Sequence, residues 1–258
     1  MSGSGSGSPS RSGTSPPPTP RAAPEDPQVP VFEMLPAFEE EGSVPFEPGP
    51  VARELLDAQS EPGEQCRLLA SRLVALGRDK RLRRIGVVGA RPGEGTTTVA
   101  LGLARALSAE RRRRVLLLEL DLRRPDLDRE LGLDPPAAGL RHYLDGRCDV
   151  PVLRRSRDGY WILSAGPGSA SDVPSASRLA SLLRATDRVF DYVVADCPPL
   201  LEGDGEVALQ AHLDGFVFVV RSRRAPREAI RRAAARLKPS LIIGLVLNAQ
   251  RDFLRRRV

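Results

Sequence analysis

Three short stretches hold residues whose types and spacing could do chemistry. The first, GARPGEGTTT (Gly89 to Thr98), follows an apolar run and leads into a segment with Val99, Leu103 and Leu107 on one helical stripe. A strand, a glycine-rich turn and a helix in that order predict a cradle for phosphate. Successive backbone N–H groups around Gly93, Glu94 and Gly95 would form a concave nest, and the helix N-terminus adds its positive end. The Thr97 hydroxyl is then placed for a magnesium ion, with Thr98 behind it. A phosphate loop normally has lysine after its last glycine; here that residue is Thr96.

The other two stretches end apolar runs with acids. RVLLLELDLRRPDL carries Glu119, Asp121, Arg123 and Arg124, and DYVVADCPP carries Asp196. A carboxylate at the end of a buried strand is costly unless it is hydrogen-bonded or close to a cation. A magnesium ion held by Thr97 and Asp196 would meet that need.

Positioning these residues takes a regular scaffold. Strand-length runs rich in Val, Ile and Leu occur at 84–89, 114–120, 160–166, 191–197, 215–220 and 241–248. They are nearly unbroken, the pattern of strands covered on both faces. Helix-like segments separate them at Thr97 to Glu110, Gly139 to Leu144, Ser175 to Asp187, Val207 to Leu213 and Pro226 to Leu237, with another at Glu64 to Leu76 ahead of the first strand. The alternation predicts an α/β fold of three layers, α/β/α, with a mostly parallel sheet and ligands at the carboxyl ends of the strands.

Composition divides the 258 residues in two. Residues 1–62 hold 13 of the 24 prolines and open with MSGSGSGSPSRSGTSPPPTP. Such a segment reads as a disordered N-terminal tail, leaving 63–258 as the folded domain. Residues 1–63 carry three arginines against ten acids, a net of −7, which leaves +13 on the rest to reach the formal +6. Within the tail, VPVFEMLPAFEEE (Val29 to Glu41) sets four large apolar residues beside an acidic run and is either a docking motif or an ordinary linker. No apolar run approaches the roughly 20 residues that span a bilayer, and no export signal opens the chain, so a cytoplasmic location is expected. Cys66, Cys148 and Cys197 lie far apart, which argues against a zinc site or a disulfide framework.

PGEGTTT, LDLRRPDL, DYVVADCPPL and GLVLN, in this order and at these spacings, resemble the P-loop domain of bacterial tyrosine kinases of capsule and exopolysaccharide synthesis. Those kinases belong with the partition and division-site ATPases, and the similarity covers about Glu64 to Gln250. The resemblance implies a P-loop NTPase fold that binds ATP and Mg2+. It implies that Arg91, Pro92, Gly93, Glu94, Gly95, Thr96, Thr97 and Thr98 line the phosphates, and that Asn248 contacts the adenine. Asp121, Asp196 and Arg123 would be the catalytic residues, with Thr97 and Asp196 on the metal and Arg124 beside Arg123 near the phosphates or a neighbouring subunit. A separate membrane adaptor of a polysaccharide export system is implied as partner, bringing the chain to the inner face of the membrane.

The departures from this pattern fall on the chemistry. Thr96 stands where the family has lysine, and Glu119 where it usually has the first aspartate of an acid-x-acid pair. Arg91 sits where partition-type relatives place an extra loop lysine. The family's C-terminal tyrosine cluster has no counterpart in RDFLRRRV. EQCRLLASR matches the family's oligomer-forming helix motif at Glu64 and Arg67 and departs from it at Ala70 and Arg72. The expectation is a weak ATPase or a regulatory pseudokinase, with a homo-oligomer left open. The alternative is a partition-type module that uses RDKRLRR, RRRR, RSRR and the terminal RRRV on DNA or an anionic membrane surface. Without interleaved aromatics, nucleic acid is the less favoured partner.

Overall fold

The computed structural model describes residues 53–54, 57, 59–79, 81–110, 113–168, 175–203 and 209–249. The expected tail up to residue 52, with its Val29 to Glu41 motif, and the terminal RDFLRRRV lie outside them, as does part of the helix expected at Val207 to Leu213.

Seven strands form one sheet: β1 (Arg84–Gly89), β2 (Val115–Glu119), β3 (Arg154–Arg155), β4 (Trp161–Leu163), β5 (Tyr192–Asp196), β6 (Gly215–Arg221) and β7 (Ile242–Asn248). Their order is β3-β4-β2-β5-β1-β6-β7. Every pairing is parallel except β3 with β4. The helices are α1 (Glu61–Asp79), α2 (Thr96–Ala109), α3 (Leu127–Leu131), α4 (Leu140–Leu144), α5 (Ala176–Thr186) and α6 (Arg227–Ala234), and a 3-10 turn at Pro239–Leu241 leads into β7.

The period of two along each strand splits the core into two layers. Leu117, Val194, Val87 and Val219 face α1 and α2, packing with Leu73, Leu101 and Leu107. The intervening Leu116, Leu118, Val193 and Phe218 face the other side, against Leu140, Leu182 and Leu183 of α4 and α5. Both faces of the central strands are therefore dry. At roughly 1.5 to 3 kcal/mol for each fully buried Val, Leu or Phe, this burial is the main force fixing the strand order.

Two elements are absent from the sequence reading. β3 is a two-residue antiparallel addition made of arginines, and α3 is a single turn after β2. The helix that carries the expected oligomer motif buries its departure at Ala70. Ala70 has no exposed surface and packs with Cys66 and Leu73 into the layer shared with α2, so a long cationic side chain has no room there.

Candidate functional site

The carboxyl ends of β1, β5, β2, β6 and β7 converge on the glycine-rich loop. After β1 the chain turns through Gly93 (φ +77°) and Gly95 (φ +89°) into α2, whose first residue is Thr96. Gly95 is required twice over. Its backbone lies in the left-handed region, and a Cβ there would stand 2.0 Å from the Asn248 Nδ2. No side chain caps α2, so the first N–H groups of the helix remain available to an anion.

The loop is braced from inside and outside. The Glu94 carboxylate is buried beneath it and accepts from Ala90 N at 2.6 Å, lying where a side chain on Gly89 would collide with it. From outside, Asn248 Nδ2 donates to Glu94 O at 2.9 Å and Arg221 Nη1 donates to Gly93 O at 2.8 Å. Downstream of β5, Leu200 N donates to Gly89 O and Leu201 N to Ala90 O. Arg91, Pro92 and Gly93 are exposed, whereas Thr96, Thr97 and Thr98 are half-buried.

Asp196 ends β5 with 2% of its surface exposed. Its carboxyl is hydrogen-bonded to the Thr97 side chain, and its Oδ1 has no hydrogen-bond partner. Burial pushes its pKa up to about 8, partly offset by the Thr97 bond, while the charges of Glu119, Asp121 and Asp126 raise it further. A buried, unpaired carboxylate oxygen next to a hydroxyl at a helix N-terminus fits a hard divalent cation. The structure thus brings Thr97 and Asp196 into hydrogen-bond contact.

Glu119 has a different role from its neighbours. It lies opposite Asp196 in the register of β2 and β5, with 1% of its surface exposed. Its Oε1 accepts from Asp126 N at 2.7 Å and Leu127 N at 2.8 Å, and its Oε2 accepts from Ala165 N at 2.8 Å. Burial raises its pKa and these three bonds oppose the rise. The carboxylate ties the end of β2 to the start of α3 and to the segment after β4, and both oxygens are occupied. Asp121, less buried, accepts from Arg124 N at 3.1 Å, and its pKa is also raised by burial.

The two arginines after Asp121 reach the segment that follows β5. Arg123 Nη1 donates to Glu202 O at 3.0 Å, and Arg124 pairs with the Glu202 carboxylate at 2.8 Å. Sequence reasoning missed Arg141, which has 5% of its surface exposed on α4. Its Nη1 donates to Gly166 O at 2.8 Å and also to Gly168 O, and its Nη2 donates to Leu122 O. It locks the loops after β2 and β4. Nothing local distinguishes this arginine from the other 36 in the sequence. Asn248, expected on the adenine, has its amide nitrogen on the loop and its Oδ1 on Ala249 N.

A mostly parallel sheet with helices on both faces, a preformed glycine loop at a helix N-terminus and a buried aspartate beside it define the P-loop NTPase fold. No protein-family model matches the chain. It is similar to tyrosine-protein kinase YwqD of Bacillus subtilis, 26% identical over 204 residues that cover 75% of this chain and 85% of YwqD. It is also similar to the succinoglycan biosynthesis transport protein ExoP of Rhizobium meliloti, 30% identical over 64% of this chain, which spans only 22% of ExoP. The kinase domain of the Escherichia coli tyrosine kinase ETK shares the fold, with a TM-score of 0.70 at 22% identity over 80% of this chain and 82% of that domain. In fold and in sequence the chain is thus similar to the P-loop domains of the bacterial tyrosine kinases.

Proposed function

We infer that this chain binds a magnesium nucleotide and serves capsule or exopolysaccharide synthesis as a catalytically weakened kinase-like ATPase or a regulatory pseudokinase. The observation that carries the nucleotide reading is the orphaned Oδ1 of Asp196 beside Thr97, at the uncapped start of α2. Loop amides and the helix end would hold the phosphates. Thr97 and Asp196 would hold the magnesium, which supplies charge neutralisation at the phosphates when bound. Asp121 and Arg123 would act from the segment after β2, where Arg123 donates to Glu202 O.

The weakening follows from Thr96. A lysine ammonium at that position makes a charge-assisted hydrogen bond worth about 1.5 to 3 kcal/mol, or roughly 10- to 150-fold in affinity. A donor aimed at transition-state charge is worth about 10² to 10³ in rate. Threonine supplies neither. ExoP's role in polysaccharide transport supports the polysaccharide setting. No described helix is long and apolar enough to cross a membrane. A separate membrane adaptor would then place this chain at the inner face of the membrane.

Calorimetry with Mg-ATP and anti-phosphotyrosine blotting, on the unmodified chain and on Thr96→Lys, test the reading. Micromolar to millimolar binding without autophosphorylation is expected, tightening about 10- to 150-fold in Thr96→Lys. Robust autophosphorylation of the unmodified chain sinks the pseudokinase reading; no binding to either protein sinks the nucleotide reading.

A further inference from the structure

β6 and β7 end side by side, and at their last paired position Arg221 stands opposite Asn248. Both side chains turn onto consecutive carbonyls of the phosphate loop, Arg221 onto Gly93 O and Asn248 onto Glu94 O. Two register partners on the same sheet edge thus grip two successive peptide groups of the loop. Asn248 is neutral, and its other polar atom is used by Ala249 N, so its part ends with the clamp.

Arg221 has more to offer. A guanidinium carries a permanent charge and five N–H donors in a fixed fork. One nitrogen donates to Gly93 O at 2.8 Å, and among the described residues no carboxylate pairs with the group. The side chain is half-buried, and it is held against a loop whose amides and helix end already favour an anion. Arg91 is the loop's own basic residue, but it is exposed, and no ion pair holds it among the described residues. A cation fixed by a hydrogen bond loses less freedom on meeting phosphate than one free on the rim.

We propose that Arg221 is the phosphate-directed cation of this site, supplying from the end of β6 the positive charge that Thr96 does not supply from the start of α2. This rests on the nucleotide reading above and adds to it the residue through which binding survives. Arg221 then has two roles: its bond to Gly93 O shapes the loop from outside, and its charge adds to the positive field that draws the nucleotide phosphates.

The two roles separate in a double-mutant cycle read by calorimetry with Mg-ADP, using the unmodified chain, Arg221→Ala, Thr96→Lys and the double variant. Arg221→Ala is expected to weaken Mg-ADP by about 10- to 150-fold in the unmodified background. In the Thr96→Lys background the same change is expected to cost under about 3-fold, because the lysine restores the missing charge. Arg221→Gln keeps a neutral donor for Gly93 O. It is expected to lose affinity like Arg221→Ala, and it takes that variant's place if the alanine chain does not fold. Unchanged affinity in Arg221→Ala overturns the proposal, and so does an equal loss in both backgrounds, which marks a loop clamp alone. If the unmodified chain binds no Mg-ADP, the nucleotide reading falls and this inference with it. If it binds and the cycle is additive, only the inference falls.

Discussion

Asp196→Asn should stabilise the metal-free protein, increasingly so as pH rises. In the unfolded chain this carboxyl has the ordinary value of 3.8; in the fold, burial raises it to about 8. Between those values the native state holds a proton that the unfolded state has released, so stability falls with rising pH. Below about pH 4 both states are protonated and the penalty is absent; above about pH 8 both are ionised and the penalty is complete. At about 1.4 kcal/mol per pH unit, the interval corresponds to about 6 kcal/mol, an upper bound because any water admitted to the carboxylate lowers it. Asparagine cannot ionise, so the variant escapes the slope. Urea unfolding in the presence of EDTA from pH 5 to pH 9 reads the difference directly. Near pH 5 the variant should lead by no more than about 2 kcal/mol, and by pH 9 that lead should have grown by at least about 2 kcal/mol more. Mg-ADP should then stabilise the unmodified chain at pH 8 and leave Asp196→Asn nearly unmoved. Parallel pH profiles for the two proteins would refute the assignment of a buried, cation-seeking carboxylate.

Two further substitutions test the scaffold around this point. Glu119→Ala strands the N–H groups of Asp126, Leu127 and Ala165. At about 1 to 3 kcal/mol for each buried donor left unsatisfied, it should cost at least about 3 kcal/mol in urea unfolding at pH 7. Gly95→Ala places a Cβ 2.0 Å from the Asn248 amide at a φ of +89°. It should cost about 1 to 3 kcal/mol of stability in the same assay and weaken Mg-ADP binding at least tenfold by calorimetry.

The parts legible in the sequence are those whose signal is local. The run RIGVVG, the glycines at 93 and 95 and the stripe of α2 specify strand, loop and helix without help from the rest of the chain. Asp196 was legible because an acid ending an apolar run has few cheap explanations. The parts that were not legible depend on distant partners. β3 exists because Arg154 and Arg155 pair with Ile162 and Trp161, and two arginines carry no strand periodicity of their own. The cage around Arg141 is assembled from carbonyls of Leu122, Gly166 and Gly168, which no spacing rule links. The loop contacts of Arg221 and Asn248 span 128 and 154 residues of sequence, so neither is written locally, where Arg221 falls in a basic cluster and Asn248 is expected on the adenine.

The two departures from the family pattern, Glu119 and Thr96, differ in kind once their surroundings are known. Backbone donors engage both oxygens of Glu119, two on Oε1 and one on Oε2, so this carboxylate serves the scaffold. Its extra methylene is absorbed by the scaffold, and its pKa responds first to burial. Thr96 has no such explanation. It occupies the first residue of α2, half-exposed, where a longer cationic side chain would meet solvent or phosphate. Structure therefore accounts for the residue at 119 and leaves the one at 96 to function. On the reading proposed above, nucleotide binding turns on whether a cation from the neighbouring strand, Arg221, can act for the lysine that Thr96 replaces. A guanidinium anchored on Gly93 O can screen ground-state phosphate charge, but it cannot follow a moving phosphoryl group without breaking that bond. Binding should thus be preserved more fully than turnover.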